Sequence, residues 1–410
     1  MKLHEVLSRI GLAQSAGTFS PFWDESVASL GERVPPFLEP AEVSAAREYG
    51  GFGEEVESRL QDEALRIASD RALGLLAWHC HRLLYDHPEY EHPETWPPEL
   101  GGTFYLLVAM GMVRRVREAH AAMGVSDEVT RATCRQLSCF NLNHVGMTGG
   151  GLGIPVTQLY WTRHYPACRL FRIGRMEYMM RAYRGGVVAF RHRRSGQVVA
   201  LAPHGTRFTD DGQVAWEPEG GWEATLRRTS DEVTGCLISP VGAAERREVT
   251  LPLQDWECVL TNGDVTLDMH IPAGGGMTLE ACGDSMRGAA VFFARHFPNQ
   301  LCRVFYSSSW IFSTQLERIP LSSDNLVRYQ HELYLYPTPA SGKEGLWFIF
   351  LRNDVDPATA PRLTSLQRGV ADFLATGEHW RCGGMFFLVE DLPRFGTQHY
   401  RSSWPPAGLK

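Results

Sequence analysis

Residues 267–310 read LDMHIPAGGGMTLEACGDSMRGAAVFFARHFPNQLCRVFYSSSW, and this stretch decides the fold of the C-terminal part of the chain. The segment 267–272 is typical of a strand, and a glycine-rich connection follows it over residues 273–278. Apolar residues then recur at helical spacing over 279–297, and a second strand ends at 307–310. This order of elements predicts a sheet that is covered by helices.

The connection over residues 273–278, called the glycine loop below, is a candidate site for a phosphate-bearing cofactor. Gly274, Gly275 and Gly276 allow backbone N–H groups to approach a ligand closely. The N-terminus of the helix that follows favours negative charge, and Thr278 stands directly before it. An ordinary connection between a strand and a helix would have the same pattern, so both interpretations stay open.

Composition excludes several classes of protein. The chain has 410 residues, of which 44% are hydrophobic, and its formal net charge is −7. That length allows two or three domains, and the acidic balance argues against a protein whose main task is to grip nucleic acid. Lysine occurs at positions 2, 343 and 410, so 37 of the 40 basic residues are arginine. The scarcity of lysine argues against a P-loop and against Schiff-base chemistry such as that of pyridoxal phosphate.

Cysteine usage and hydropathy predict a cytoplasmic protein that does not enter a membrane. The nine cysteines are scattered without a C-x-x-C pair, which is typical of reduced thiols. The N-terminus lacks the sections of a signal peptide. The longest apolar run, over 103–113, is too short to span a bilayer.

Histidines in the N-terminal region raise the question of a metal site. His79, Cys80 and His81 are close in sequence, and His87 and His92 follow. Residues at i and i+2 on a helix do not share a face, and zinc sites usually have tighter spacing. We therefore expect no metal.

The pattern of elements changes along the chain and predicts two domains of an α+β protein. Residues 1–165 are expected to be helical and residues 166–410 to be rich in strands, with a section of β-hairpins over 185–265. The helices expected from apolar spacing cover 54–85, 103–123, 126–141, 279–297 and 366–373. The strands expected outside 267–310 cover 170–178, 187–191, 198–201, 346–351 and 385–389.

Several separated blocks of sequence resemble a known family. They are GGLGIPVTQLYW at 150–161, LFRIGRMEY at 170–178, HIP at 270–272, SWIF at 309–312, SDNLVR at 323–328 and LTSLQR at 363–368. In order and spacing they resemble bacterial proteins that join a helical N-acyltransferase N-terminal domain to a GNAT-like C-terminal domain. The resemblance implies a helical domain followed by a GNAT-like mixed sheet flanked by helices.

The same resemblance implies transfer of an acyl group from a thioester, acyl-CoA above all, to the amine of a small molecule. GNAT enzymes usually mark the pyrophosphate loop with R/Q-x-x-G-x-G/A, and this chain has the glycine loop in the equivalent position instead. An acyl carrier protein or an aminoacyl-tRNA therefore stays open as the donor. So does a GNAT-like module that binds a partner without catalysis.

Attack of an amine on a thioester requires a base, and two residues are candidates. His270 ends a strand beside the glycine loop, and its ordinary pKa near 6.5 suits an ammonium nucleophile. Glu177 lies in the predicted strand 170–178, where a carboxylate is costly unless it is paired or faces a cavity. A structural role for His270, and a salt bridge between Glu177 and Arg175, are the competing interpretations.

Hydroxyl groups complete the candidate site. In a GNAT-like sheet the strand ending at Ser307 and Ser309 lies beside the pantetheine arm of the donor, so the resemblance implies that these residues orient the thioester. Tyr306 and Tyr329 are candidate acids for the leaving thiolate, although aromatic residues in such positions usually belong to the core.

Overall fold

The structure is a computed structural model that describes residues 1–91, 96–216, 220–352, 354–406 and 409. The chain divides into two compact units. Unit 1 comprises Met1–Ile173 with Pro272–Gly274, and unit 2 comprises Gly174–Ile271 with Gly275–Lys410. His92 lies outside the described residues.

Unit 1 is helical, with one short strand, β1 (Leu170–Ile173), at the end of its first segment. Its α-helices are α1 (Leu3–Arg9), α2 (Ala16–Phe19), α3 (Trp23–Leu30), α4 (Pro40–Tyr49), α5 (Glu57–Ser69), α6 (Arg71–Tyr85), α7 (Gly102–Met110), α8 (Met112–Ala122), α9 (Asp127–Cys134), α10 (Gln136–Thr148) and α11 (Val156–Leu159).

Each of the three helices predicted in this region is divided in two. Asp70 separates α5 from α6, and its carboxylate accepts hydrogen bonds from two N–H groups of the first turn of α6, at 2.8 and 3.2 Å. Gly111 separates α7 from α8, and Arg135 separates α9 from α10. Ser126 is the N-cap of α9, where the predicted helix begins. Apolar periodicity continues across one-residue breaks, so the pattern did not reveal them.

Helix α7 lies in the core of unit 1. All of its residues from Phe104 to Met110 are buried, which explains the long apolar run in the sequence. A helix that is apolar all round belongs inside a protein or a bilayer, and length decides between the two. In the part of the chain that the structure describes, no helix is long and apolar enough to cross a membrane.

Unit 2 is built around a mixed sheet. Its strands run in the order β2 (Met176–Ala182), β11 (Val265–His270), β12 (Val304–Ser309), β14 (Gly383–Leu388) and β13 (Tyr334–Pro337). The pair β11 and β12 is parallel, and the other neighbours are antiparallel. Its α-helices are α12 (Leu279–His296), α13 (Asn325–Glu332), α14 (Leu346–Phe350), α15 (Ser365–Ala375) and α16 (His399–Ser402).

A second, antiparallel sheet lies between β2 and β11 in the sequence. Its strands run in the order β10 (Trp256–Leu260), β3 (Val188–His192), β4 (Val198–Leu201), β8 (Glu232–Ser239) and β7 (Leu226–Arg228), and β9 (Ala243–Pro252) also pairs with β8. A small hairpin joins β5 (Arg207–Phe208) to β6 (Trp222–Glu223). The buried Tyr334 hydroxyl donates to the carbonyl of Ile238 at 2.5 Å and so connects β13 to this second sheet.

Two predicted strands were wrong. Residues 346–350 form helix α14, and Leu351 is its C-cap, because a short apolar run has the same pattern in a buried strand and a buried helix. Residues 170–178 form two strands with a turn at Gly174 and Arg175, where Gly174 has φ +61°. The other predicted elements around the main sheet are present, and the predicted α+β class is confirmed.

Candidate active site

The pairing of β2 with β11 brings the two candidate bases together. In this antiparallel ladder Glu177 stands directly opposite His270. Side chains of directly opposed residues lie on the same face of a sheet, with Cβ atoms about 4.5–5.5 Å apart. Glu177 is 2% exposed, and the His270 side chain is 28% exposed. The sequence suggested these residues as separate alternatives, and the register makes them neighbours.

Two further charged residues share this face. Strand alternation places Arg181 on the same side of β2 as Glu177, and Asp268 on the same side of β11 as His270. We call Glu177, Arg181, Asp268 and His270 the polar face. The opposite face of the sheet packs against helices, as the hydrogen bond of 2.8 Å between the hydroxyls of Tyr178 and Ser285 in α12 shows.

Charges on the polar face interact directly. Arg181 Nη1 donates to Asp268 Oδ2 at 3.3 Å, and His270 Nε2 lies 3.6 Å from the same oxygen. Burial raises the pKa of Asp268 above its ordinary value, although His270 and Arg181 both oppose this shift. Burial also lowers the pKa of His270, while Asp268 acts in the opposite direction. His270 is therefore held toward its neutral form, which is the form that accepts a proton.

Sequence reasoning did not identify Asp268 or Arg181. The spacing Asp268-x-His270 was the available signal, since residues two apart in a strand share a face. Arg181 gave no comparable signal, because its approach to Asp268 depends on the register of two strands that are distant in sequence.

Strands β11 and β12 stop pairing before either of them ends. Their register ends at Asp268 and Tyr306, although β11 continues for two residues and β12 for three. Beyond the last pair, the Ser307 hydroxyl donates to the carbonyl of Met269 at 2.8 Å. A side-chain hydrogen bond thus takes the place of the next backbone bond between the two strands.

The predicted donor-orienting serines lie away from the polar face. Tyr306 pairs with Asp268, so alternation along β12 places Ser307 and Ser309 on the other face of the sheet. The Ser309 hydroxyl accepts a hydrogen bond from the Ile311 N–H at 3.4 Å and caps the 3-10 helix that follows. Both hydroxyls take part in local structure.

The glycine loop connects β11 to α12 as predicted. Gly274 and Gly275 have φ of +79° and +68°, a region where a side chain is strained. A Cβ atom added at Gly276 would meet the Thr278 methyl at 3.9 Å, an ordinary contact. The Thr278 hydroxyl accepts from the Ala281 N–H at 3.3 Å, so this residue is the N-cap of α12.

Arg175 lies beside the glycine loop. It occupies the turn before β2 and not a strand. Its salt bridge with Glu177 stays a prediction. Its Nε donates to the carbonyl of Gly276 at 3.1 Å, and a Cβ atom added at Gly275 would lie 3.5 Å from that nitrogen. A half-buried arginine is therefore positioned beside the loop that leads into α12. Sequence reasoning did not identify this contact, because it did not predict the turn that places Arg175 beside the loop.

The two candidate tyrosines have different environments. Tyr306 is half-buried, and its pairing with Asp268 places its side chain on the same side of the sheet as the polar face. Burial together with Asp268 raises the pKa of Tyr306. Tyr329 is fully buried, and its hydroxyl contacts the sulfur atoms of Met176, Met269 and Met286 at 3.8–3.9 Å. Tyr329 therefore belongs to the core beneath the sheet and not to the polar face.

We expect Tyr329→Phe to leave kcat within about twofold of the wild type. Thioether sulfur is a weak acceptor, so loss of the hydroxyl should change the free energy of unfolding by no more than about 1 kcal/mol. Steady-state kinetics and urea denaturation check both values. A loss of kcat at unchanged stability would instead return Tyr329 to the list of candidate acids.

The N-terminal histidines occupy separate environments. His79 Nδ1 lies 2.8 Å from the Ser26 hydroxyl, whereas the His81 ring stacks on Phe37 with centroids 4.9 Å apart. Burial lowers the pKa of His79 to about 4 and that of His81 to about 3. Within the described ranges, no group of three or more His, Cys, Asp and Glu residues is arranged to hold a metal ion.

Strand β11, the glycine loop and α12 follow one another, and β11 stops pairing with its parallel neighbour β12 before either strand ends. This arrangement is that of a GNAT-like acyltransferase fold. The sequence matches the family of GNAT-like C-terminal domains over residues 170–387 and that of N-acyltransferase N-terminal domains over residues 41–164. The chain belongs to the GNAT-like C-terminal domain family. The predicted resemblance and the predicted class of enzyme are thereby confirmed. No match was found among curated proteins.

Solved acyltransferase structures share this fold. One is an acyltransferase in complex with decanoyl-CoA and teicoplanin, at 21% identity and a TM-score of 0.62, which covers 95% of this chain and 100% of that chain. A complex with CoA and 10C-teicoplanin has 21% identity, a TM-score of 0.61 and the same coverage. A complex with decanoyl-CoA has 19% identity and a TM-score of 0.57, and covers 94% of this chain and 99% of that chain.

Proposed function

We propose that this protein is an N-acyltransferase that moves an acyl group from acyl-CoA to the amine of a small molecule. The opposed pair Glu177 and His270, at the end of β11 directly before the glycine loop, is the observation that carries the proposal. A base in this position lies next to the gap between β11 and β12, where the thioester of a donor would enter.

The glycine loop and α12 supply the groups expected of a phosphate site. Gly275 and Gly276 expose backbone at the start of an 18-residue helix, whose N-terminus favours an anion. Arg175 adds a positive charge beside the same loop, in a chain that lacks the usual arginine of the R/Q-x-x-G-x-G/A pattern. Gly274 continues the loop toward β11. These features support CoA as the carrier of the acyl group.

The polar face supplies the base for the reaction. His270 or Glu177 takes a proton from the ammonium form of the acceptor, and the neutral nitrogen attacks the thioester carbonyl carbon. A C–N bond forms, and the nitrogen, which carries a positive charge after the attack, gives up a further proton. The C–S bond breaks, and the leaving thiolate gains a proton to become CoA-SH, so that these two proton transfers cancel. Tyr306, on the same side of the sheet as Asp268, is the described residue best placed to donate that proton. In this scheme Ser307 holds the two strands in position, and Ser309 caps the turn that follows.

Acyltransferases of the same fold have been solved with decanoyl-CoA, CoA and teicoplanin bound. Their ligands support an acyl-CoA donor and a small-molecule acceptor for this chain. An acidic net charge of −7 gives no support to tRNA as the donor.

A titration with CoA, acetyl-CoA and decanoyl-CoA tests the donor. We expect each to raise the melting temperature saturably, because a ligand present at 100 times its Kd adds about 2.7 kcal/mol to the free energy of unfolding. Release of free thiol, measured with teicoplanin and simple primary amines as acceptors, then tests transfer.

The absence of a thermal shift with CoA and with both thioesters would contradict an acyl-CoA donor. Carrier-bound acyl groups and charged tRNA would then be tested, and consumption of tRNA should weaken steeply with salt. Binding of CoA without release of thiol to any amine would favour the catalytically silent alternative.

A further inference from the structure

Asp268 is a buried carboxylate that the proposed reaction does not use. It is 8% exposed, and a charge at this depth is costly unless it is paired. Within the described residues, its side-chain partners are Arg181 at 3.3 Å and His270 at 3.6 Å. A carboxylate held between a guanidinium and an imidazole suggests a role that acts through the imidazole.

We propose that Asp268 is a positioning residue, which orients the His270 imidazole and stabilises the imidazolium that forms during the reaction, while Arg181 keeps Asp268 ionised. This inference rests on the proposed function, because it assigns the base of that reaction to His270 assisted by Asp268. The proton that His270 accepts comes from the acceptor ammonium and is later released to solvent.

Geometry distinguishes this arrangement from a simple surface salt bridge. A bridge between Arg181 and Asp268 alone would not require a histidine two residues along the same strand face, with its Nε2 3.6 Å from the carboxylate oxygen. Arg181 is 57% exposed in its side chain, whereas the carboxylate lies deeper, so the arginine approaches from the solvent side.

The charges that surround His270 set the direction of the expected effects. Glu177 stands opposite His270 on β2, Arg181 lies on the same strand, Asp268 lies on β11, and Tyr306 faces from β12. Asp268 raises the proton affinity of the imidazole and Arg181 lowers it. Loss of the Asp268 charge should therefore make His270 a weaker base.

The test uses the full chain with Asp268→Asn, Asp268→Glu and Asp372→Asn. The pKa of His270 is measured by NMR on protein with labelled histidine, with the His270 signal assigned from its loss in His270→Gln, and in the absence of donor and acceptor. Asp372 lies on α15, is exposed and pairs with Arg362, so its Asn variant is a matched control outside the site.

In Asp268→Asn we expect the pKa of His270 to fall by about one unit, because the substitution removes a negative charge that stabilises the protonated imidazole. The acidic limb of the kcat/KM profile should move to lower pH by the same amount, and kcat should fall about tenfold. Asp268→Glu should restore part of both, and Asp372→Asn should change neither. The variant should still bind CoA.

An unchanged His270 pKa and pH profile in a folded, CoA-binding Asp268→Asn protein would overturn this inference and leave the proposed function standing. Absence of thiol release by the wild-type protein with every acceptor would overturn the proposed function itself, whatever the NMR titration shows.

Discussion

Replacement of His270 by Gln lowers kcat/KM by about 10²- to 10⁴-fold, the usual contribution of a positioned general base. Gln keeps the size and hydrogen-bonding capacity of the side chain but cannot accept a proton at neutral pH. Since burial lowers the pKa of His270, the wild type should lose activity only as the pH falls below the ordinary histidine range near 6.5. That acidic limb should be absent in His270→Gln.

Glu177→Gln separates the two candidate bases. With His270 as the base, this variant should retain the acidic limb and lose less activity than His270→Gln. The reverse order of losses, with the limb retained in His270→Gln, would assign the role to Glu177. Unchanged kinetics in both variants would contradict a catalytic role for the polar face. Tyr329→Phe is the control, because it alters a hydroxyl in the core beneath the same sheet.

Replacement of Gly276 by Asp should weaken binding of CoA by more than about tenfold, because a carboxylate at a helix N-terminus competes with the phosphates that the site would hold. The position is suited to the experiment, since a Cβ atom at Gly276 meets nothing closer than the Thr278 methyl at 3.9 Å. Isothermal calorimetry with CoA measures the change in Kd.

Gly276→Asn is the matched control for charge. Asn and Asp have nearly the same shape, so the two variants differ in charge and little in packing. We expect the Asn variant to stay within about threefold of the wild-type Kd, and both variants to keep the wild-type melting temperature without ligand to within a few degrees. Equal affinities for CoA in the Asp and Asn variants would contradict a phosphate site at the glycine loop. Gly275 is less suitable, since its φ of +68° would add backbone strain to any substitution.

Local pattern was sufficient for the frame of the candidate site. Amphipathic spacing predicted α12 to within one residue of its observed end, and the glycine loop lies where the sequence placed it. The strand endings at His270 and Ser309 were likewise foreseen. Such features depend on neighbours a few residues apart, which is the distance over which helical and strand periodicity act. Residues 346–351 show the limit, because a short buried run does not distinguish helix from strand.

The charged contacts of the candidate site required the tertiary structure. The second sheet and the small hairpin, which together comprise β3 to β10, lie between Glu177 and His270 in the sequence. This separation conceals the pairing of the two residues. Arg175 reaches the glycine loop through a turn that the apolar pattern did not show, and Arg181 reaches Asp268 across two strands.

The sequence by itself determined the α+β class, the order of strand, glycine loop, helix and strand, and membership of the family. Periodicity and turn-forming residues are local, and they act on whichever elements a segment can form. The tertiary structure decided which side chains meet, because the register of β2 against β11 selects the partner of every residue on that face. A shift of one residue would turn Glu177 away from His270, since strand side chains alternate between faces.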